Sequence, residues 1–265
     1  MLTVGLFLAS AARGGEPLVQ RSFLLGRTPL EFAVVPAQVQ LSVLTQHVGT
    51  RLGLAWHFSD LLAVQVSGFY NYVSGHSPRA IDFRRAEANI YPSLNVWGAL
   101  AGLEVAPLRG TSNVGRLSLV LSAGLGVGGT RHELKPVNDA GPATYGDTGL
   151  RFLSSFGGGF RLELTQHFVL RIEAHDLFFS DYIQSVNGCG SGDLRGMDQS
   201  LRNGMRPSSA NVSPLCRAAS FEGLNPQTNL NRENDVPLAF NLVQQPGNSR
   251  LVHNITVQLG AAFQF

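Results

Sequence analysis

Residue types that could form a hydrolase site gather in two segments of the sequence that are expected to face each other. They are His175, Asp176, Ser180 and Asp181 in one segment, and His132 and Asp147 in the other. Such side chains can supply a nucleophile, a general base and an orienting acid. However, neighbours along a strand point to opposite faces, so His175 and Asp176 cannot form a dyad while both lie in one strand. No nucleophile-elbow motif accompanies these residues. We therefore do not expect an enzyme.

A glycine motif offers a second possible chemistry. The stretch GLGVGG, from Gly124 to Gly129, formally matches the G-x-G-x-x-G pattern of dinucleotide-binding proteins. That motif requires a turn between a strand and a helix, whose N-terminus holds the pyrophosphate. Here Leu125 and Val127 alternate with the glycines, as in a strand, and no helix pattern follows. We expect these glycines to line a narrow interior, and we expect no cofactor.

The elements around these residues show strict alternation of apolar residues with polar or small ones. The C-terminal segment HNITVQLGAAFQF, His253 to Phe265, places apolar residues at every second position. Such alternation indicates a strand with different surroundings on its two faces. Seven further segments repeat the pattern, and the weakest is the first, Leu30 to Ala37. The sequence therefore predicts eight strands.

The connections between these strands alternate in length. Short turns are expected at Ser59–Asp60, Arg109–Gly115 and Thr165–His167, and the other connections are longer, the last running from Asp181 to Ser249. Short turns on one side and long loops on the other are typical of transmembrane barrels. We therefore predict an all-β fold, an eight-stranded antiparallel up-and-down barrel of the outer-membrane type.

A lipocalin-like barrel is the soluble alternative, with its apolar residues inside. Eight strands of Leu, Val and Phe would overfill so small an interior, so a lipid-facing apolar wall fits better. Aromatic residues also gather near the strand ends, as interfacial girdles would. One set is Tyr70, Tyr72, Tyr91, Trp97, Phe178 and Tyr182, and the other is Phe32, Trp56, Phe58, Phe168 and Phe265.

Charged residues on the predicted inner faces are nearly balanced in sign. They are Glu31, Arg51, Glu104, Arg161, Glu163, Arg171 and Glu173. Charges at this depth must be paired or solvated. We interpret them as a salt-bridged plug, since an eight-stranded barrel is just wide enough for its side chains. The alternative is a selectivity filter in a narrow channel.

Composition agrees with a membrane protein of the cell envelope. Only 14% of the 265 residues are charged and 44% are hydrophobic, against roughly 25% charged residues in soluble domains. The basic residues are scattered, so no nucleic-acid partner is expected. Residues 1–11 resemble an export signal ending in Ala9-Ser10-Ala11, or alternatively a buried strand. Residues 12–29 are then a periplasmic segment, and residues 30–265 form the barrel.

The last loop, 181–249, is the expected interaction surface, on the extracellular side. It holds both cysteines, Cys189 and Cys216, for which an exported chain favours one disulfide over two free thiols. Its arginines include Arg195, Arg202, Arg206 and Arg217. Long loops without structure of their own are usually functional or disordered, so a flexible solvated insertion is the alternative.

Several stretches resemble the outer-membrane β-barrel domain proteins of myxobacteria and their relatives. They are RTPLEFAVVPAQVQ, HVGTRLGLAWHFSDLLAVQVSGFY, HFVLRIEAHDLFFS and HNITVQLGAAFQF. The resemblance implies outer-membrane location, envelope-protein partners and, for some members, gliding-motility complexes. It implies no catalytic residues. The terminal Phe263 and Phe265 resemble the signal that outer-membrane assembly machinery reads.

These inferences lead to one expected function. The chain is expected to be a structural or partner-binding component of the envelope, in contact with outer-membrane lipid, the assembly machinery and other envelope proteins. A narrow, porin-like channel is the first alternative, and a hydrolase at the barrel rim is the second. The seven histidines show no zinc spacing, so no metal site is expected.

Overall fold

The computed structural model of the chain describes residues 30–41, 45–59, 61–76, 93–112, 115–135, 143–206, 210–217, 219, 221, 224, 235–244 and 250–265. The predicted signal segment 1–11, the periplasmic segment 12–29 and Tyr91 lie outside these residues.

The described residues form eleven strands and three helices. The strands are β1 (Leu30–Leu41), β2 (Thr45–His57), β3 (Leu62–His76), β4 (Ser93–Ser112), β5 (Gly115–Lys135), β6 (Thr144–Asp147), β7 (Arg151–Glu163), β8 (Phe168–Asp181), β9 (Ser185–Val186), β10 (Cys189–Gly190) and β11 (Arg250–Gln264). The helices are α1 (Ser191–Arg202), α2 (Pro214–Arg217) and α3 (Val236–Gln244).

Eight of these strands close into an antiparallel barrel. The wall consists of β1, β2, β3, β4, β5, β7, β8 and β11, and each of these strands pairs with the next one in this order. The last strand, β11, pairs with β8 on one side and with β1 on the other, which closes the barrel. The seam between first and last strands runs from Glu31 opposite Gln264 to Leu41 opposite Ile255. Closure satisfies the backbone groups of both strands at the seam. The predicted eight-stranded up-and-down barrel is confirmed.

The two faces of the wall have opposite chemistry. Trp56 and Leu259 point outward and are 50% and 57% exposed, whereas Glu31 points inward and is fully buried. The outward apolar set extends around the barrel and includes Leu54, Val66, Tyr70, Leu103, Leu125, Phe152, Phe160 and Ile172. This polarity is the reverse of a lipocalin, because here the charges are inside and the large apolar residues outside. The outer wall is therefore built to face lipid.

The first strand is longer than the alternation predicted. It continues past Ala37 to Leu41, so the connection to β2 is residues 42–44 rather than about eight residues. At Pro36 the register of β1 shifts relative to both neighbouring strands, β11 and β2, which forms a bulge. Proline has no N–H to donate, so a bulge is a position where it is tolerated. Beyond this bulge the inward positions change from odd to even, as the burial of Gln38 and Gln40 shows. Because the alternation of inward and outward residues is interrupted there, the sequence pattern did not indicate the second half of the strand.

The last connection contains a folded insertion, which corrects the expectation of a loop without structure of its own. We call the described residues between β8 and β11 the cap. It includes β9, β10 and the three helices, and it has a buried apolar core. Helical spacing explains the core, because Leu194, Met197 and Leu201 recur on one face of α1, as Val236, Ala239 and Leu242 do on α3.

The cap is attached to the part of β5 that extends beyond the barrel pairing. There β5 pairs with β6, and β6 pairs in turn with β9 of the cap. The backbone N–H of Asn187 donates to the carbonyl of Tyr145, and the Asn187 side chain accepts from the N–H of Tyr145, both at 2.8 Å. Leu134 of β5 also belongs to the cap core. The insertion is thus held against one side of the wall.

None of the helices in the described part of the chain has the length and apolar character that a bilayer crossing requires.

Candidate functional site: a salt-bridged lumen and a disulfide-bonded cap

Arg171 on β8 is the centre of a charge network inside the barrel. Its Nη1 donates to Glu31 Oε1 at 2.7 Å, and its Nε donates to Glu173 Oε1 at 2.5 Å. Its Nη2 contacts Glu104. One planar guanidinium therefore contacts carboxylates from β1, β4 and its own strand, which is the fork geometry for which arginine is suited.

Arg161 on β7 is the second cation of the network. Its Nη2 lies 2.5 Å from Glu31 Oε2, and longer contacts of 3.8 Å reach Glu104 and Glu163. Arg161 and Arg171 face each other across the β7–β8 pair. Like charges in such a pair repel, so the carboxylates of Glu31 and Glu104 that both arginines share are needed to hold them there.

Four further side chains complete the network, and the pattern of formal charges in the sequence did not indicate their roles. His57 Nε2 lies 3.2 Å from Glu31 Oε2, and His175 Nε2 lies 2.8 Å from Glu173 Oε2. The amide nitrogens of Gln258 and Gln264 donate to Glu173 and Glu31. All four side chains occupy inward positions of the alternation. The period of two assigns them to the inner face, but their hydrogen-bond partners depend on the strand register.

Arg51 stands apart from the other six predicted interior charges. Its Nη2 donates to Ser67 Oγ at 2.8 Å, and it makes no ion pair within the described part of the chain. It lines small cavities together with Gln65, Ser67 and His175. The structure thus places Glu31, Glu104, Arg161, Glu163, Arg171 and Glu173 in one cluster and Arg51 beside it.

Side chains also fill the lumen farther from the short turns. Gln38 Nε2 donates to Asn71 Oδ1 at 2.5 Å, and Asn71 Nδ2 donates to Gln40 Oε1 at 2.6 Å. His47 Nε2 lies 3.0 Å from the carbonyl oxygen of Ser93. Gln38, Gln40, His47 and Asn71 are all buried. The bore is therefore occupied by hydrogen-bonded side chains above the ionic cluster as well as within it.

The cap is closed by the predicted disulfide. Cys189 and Cys216 are bonded, and both are fully buried in the cap core. Met197 of α1 lies against the bridge, with its Sδ atom 3.7 Å from Cys216 Sγ. The bond joins the β10 strand to α2, and Asp193 strengthens the same junction by accepting hydrogen bonds from the backbone and hydroxyl of Ser213.

The arginines of the cap lie on its surface. Arg195, Arg202, Arg206 and Arg217 are all exposed. Arg202 donates through Nε to Asp198 Oδ2 at 2.8 Å, one helical turn away on α1. An apolar residue, Leu215, is 78% exposed on the same insertion. The cap therefore presents both charged and apolar groups to its surroundings.

The predicted rim residues are divided among separate contacts. His175 points into the lumen, and Asp176 points outward, where its Oδ2 lies 2.8 Å from His253 Nδ1. His132 Nε2 contacts Asp181 Oδ1 at 2.9 Å, and Asp147 contacts Arg131 instead. The partnership of Asp176 with His253 joins residues far apart in sequence, and only the β8–β11 register brings them together.

The glycine motif and the terminal phenylalanines are parts of the barrel wall. Gly124 to Gly129 lie within β5, and a Cβ at Gly126 would collide with the backbone of Ala99 on β4. Phe263 packs edge-on against Phe168 with ring centroids 5.5 Å apart. The N–H of Phe265 donates to the carbonyl of Leu30 across the seam. Among the described residues there is no group of three or more His, Cys, Asp and Glu suited to a metal ion.

No family model and no curated protein matches the sequence. Among solved structures, the chain is similar to Neisserial surface protein A, at 9% identity and a TM-score of 0.44 over 89% of this chain and 96% of that one. It is also similar to the N-terminal β-barrel domain of Pseudomonas aeruginosa OprF, at 10% identity and a TM-score of 0.39 over 90% and 99% of the two chains. It is similar as well to Ail, the attachment invasion locus protein of Yersinia pestis, at 10% identity and a TM-score of 0.36 over 89% of this chain and 96% of that one. Similarity at this level concerns the barrel shape alone.

The closed wall, its apolar exterior and its polar interior define the class of protein. Only a barrel whose backbone groups are all paired can place strands in lipid, and this barrel has the polarity that lipid requires. The chain is an integral membrane β-barrel of the outer-membrane type. It is located in the bacterial outer membrane.

Proposed function

We propose that the barrel is a sealed membrane anchor that presents the cap to a protein partner outside the cell. The observation that carries the proposal is the division of the chain into a barrel with a filled lumen and a cap with its own core and disulfide. A solute pathway would need an open bore. A binding surface needs a rigid support, which the barrel provides.

The lumen supports the role of an anchor. Arg161 and Arg171 are buried among four carboxylates, and each is held by more than one of them. Moving either side chain to open a path would leave buried charges unpaired, which is strongly unfavourable. The cluster is therefore proposed as a plug rather than a selectivity filter.

The cap supports the role of a binding module. Its buried disulfide and its pairing with β6 fix the orientation of α1 and α2 relative to the wall. A surface that is already ordered loses less conformational entropy when it binds a partner. The exposed Leu215, with Arg195 and Arg217, combines the apolar and arginine character that is common at protein interfaces.

The finer form of the proposal is a place in an envelope-spanning or gliding-motility complex. It is supported by the resemblance of the β1–β3, β8 and β11 sequences to myxobacterial barrel proteins. Recognition by the outer-membrane assembly machinery is proposed in the same way, from Phe263 and Phe265 at the end of the chain.

The decisive experiment is site-specific photocrosslinking in intact cells. A photoreactive residue at Leu215, which is 78% exposed on the cap, should yield a discrete crosslinked protein. The same residue at Leu259, which is 57% exposed on the lipid-facing wall, is the matched control and should yield lipid adducts only. Combining the probe at Leu215 with Arg195→Glu and Arg217→Glu should weaken the protein adduct several-fold.

Two results would overturn the proposal. One is a cap that yields no protein adduct from native cells under conditions in which the Leu259 probe labels lipid. The other is inaccessibility of the cap to protease added to intact cells, because a partner outside the cell could not then reach it.

A further inference from the structure

A polar pair interrupts the lipid-facing wall of the barrel. His253 on β11 and Asp176 on β8 both point outward, and the side chains are 57% and 37% exposed. His253 Nδ1 lies 2.8 Å from Asp176 Oδ2. The ring of Phe178 stacks on the imidazole, with centroids 5.8 Å apart and an interplanar angle of 26°. The pair belongs neither to the charge network of the lumen nor to the cap.

The pair lies among exposed apolar residues of the outer wall. On β11 the next outward residues are Leu251 and Ile255, which are strongly exposed. Phe156 of β7, also exposed, is the direct cross-strand neighbour of Asp176. A protein covering this wall is not needed to explain the pair, since the apolar residues on each side have the exposure typical of the whole lipid-facing surface.

The height of the pair places it at the outer edge of the hydrocarbon region. Phe263, paired with Phe168, marks the aromatic level near the short turns. His253 lies ten positions before Phe263 on the same strand. At a rise of about 3.3 Å per residue and a tilt of about 40°, this corresponds to roughly 25 Å, the height of the apolar band. The pair therefore faces the lipid headgroups of the leaflet on the cap side.

Both members of the pair have an unused polar atom. Within the described residues, Nε2 of His253 makes no hydrogen bond, and Asp176 Oδ1 accepts none although it is enclosed. Polar groups at the membrane boundary are costly unless they find a partner. A lipid headgroup can supply such a partner at this level.

The charge of the pair selects the kind of headgroup. With a neutral imidazole the pair carries one negative charge, and with a protonated imidazole it carries none. In neither state is it positive, so it does not attract a phosphate. When the imidazole is neutral, Nδ1 carries the proton that is donated to Asp176, and Nε2 is then an acceptor. An ammonium group is a donor of the matching charge, and the rings of Phe156 and Phe178 can stabilise a cation further.

We propose that Asp176 and His253, flanked by Phe156 and Phe178, form a binding site for the primary ammonium of a lipid headgroup, as in a phosphoethanolamine lipid. Nε2 of His253 accepts a hydrogen bond from the ammonium, and the carboxylate of Asp176 holds the imidazole in the accepting tautomer and supplies the negative charge. The site is separate from the cap, so it does not depend on the cap having a partner.

Lipid retention in native mass spectrometry tests this site. Full-length protein is extracted from vesicles containing equal parts of phosphatidylethanolamine, phosphatidylcholine and phosphatidylglycerol. Phosphatidylcholine is the critical comparison, because its quaternary ammonium has the charge but no N–H to donate. We expect the unmodified protein to retain phosphatidylethanolamine over phosphatidylcholine by about five-fold, the scale of the one hydrogen bond that phosphatidylcholine cannot donate. Asp176→Asn with His253→Phe removes the charge and the acceptor while keeping a ring against Phe178, and it should bring the ratio close to one.

Controls separate the site from general effects on the barrel. Thr50→Val changes an outward polar residue on β2, and it should leave the retention ratio unchanged. Both variants must show the heat-modifiable gel shift of a closed barrel, and His253→Phe alone serves if the double variant does not fold. Millimolar soluble phosphoethanolamine should not displace the lipid, because the acyl chains contribute to its retention.

Several outcomes would overturn the proposal. They are equal retention of phosphatidylethanolamine and phosphatidylcholine by the unmodified protein, preferential retention of phosphatidylglycerol, displacement by the soluble headgroup, or a dimer that excludes lipid and dissociates in the double variant. The last result would make the pair a contact between two copies of the chain.

Discussion

The barrel and the cap are built on opposite arrangements of the same residue types. In the barrel, Arg171 and Glu31 are buried while Leu259 is exposed, whereas in the cap Leu194 and Val236 are buried while Arg195 is exposed. The difference follows from the surroundings of each region. Burying a leucine side chain does not stabilise a wall that faces lipid, whereas it does stabilise a domain that faces water. The two regions should therefore respond differently to the same kinds of substitution.

The largest expected effect is in the lumen. Arg171→Ala removes the contacts to Glu31, Glu104 and Glu173 and leaves buried carboxylates without their main cation. Breaking a buried ion pair from one side costs about 3–5 kcal/mol. The temperature at which the heat-modifiable band is lost should fall markedly, while the cap disulfide stays oxidised. Arg51→Ala is the matched control, because within the described residues Arg51 makes a hydrogen bond to Ser67 and no direct ion pair. Equal losses in both variants would contradict the network.

The next effect belongs to the cap. Cys189→Ser with Cys216→Ser removes a bridge that closes a loop with a sequence separation of 27. A loop of that length corresponds to roughly 3–4 kcal/mol of chain entropy. We expect faster proteolysis between β8 and β11 and weaker crosslinking from Leu215, with an unchanged heat-modifiable shift. A barrel that melts earlier in this variant would show that the two regions are energetically coupled.

The same substitution in both regions sharpens the comparison. Leu194→Ala creates a cavity in the cap core and should cost about 2–4 kcal/mol of cap stability. Leu259→Ala removes the same atoms from a lipid-facing position, where lipid chains fill the space. We expect limited proteolysis of the cap to accelerate in the first variant and the melting of the barrel to change little in the second. A large effect of Leu259→Ala would indicate that this wall contacts protein.

The smallest expected effect is on conductance. Planar-bilayer recordings of the unmodified protein should show no large steady current, because Gln38, Asn71 and the arginine–glutamate cluster occupy the bore. Removing the cap disulfide should not change this result. A stable open pore in the unmodified protein would favour the channel instead.

Alternation was sufficient to predict the barrel, since the wall strands are built on a period of two and short and long connections alternate from β2 onward. It failed where the phase changes, at Pro36 in β1. The cap was missed because its helical spacing is embedded among Gly, Ser and Asn, which made the segment resemble a loop. The interior charges could be assigned to a face, but their partners depend on the register and on side-chain reach. For that reason the roles of His57, His175 and Gln258 and the pairing of Asp176 with His253 required the structure.

The position of the cap between β8 and β11 has a consequence for how fast the barrel closes. β11 is the strand that must find both β8 and β1, and it is separated from β8 by roughly 70 residues. Bringing the ends of so long a flexible segment together costs about 2.5 kcal/mol more than closing a four-residue turn. A cap that is folded and oxidised beforehand shortens the effective segment, so it lowers the entropic barrier to the last pairing. Reducing conditions should therefore slow the appearance of the heat-modifiable band without reducing its final amount, which would make the cap a determinant of assembly rate.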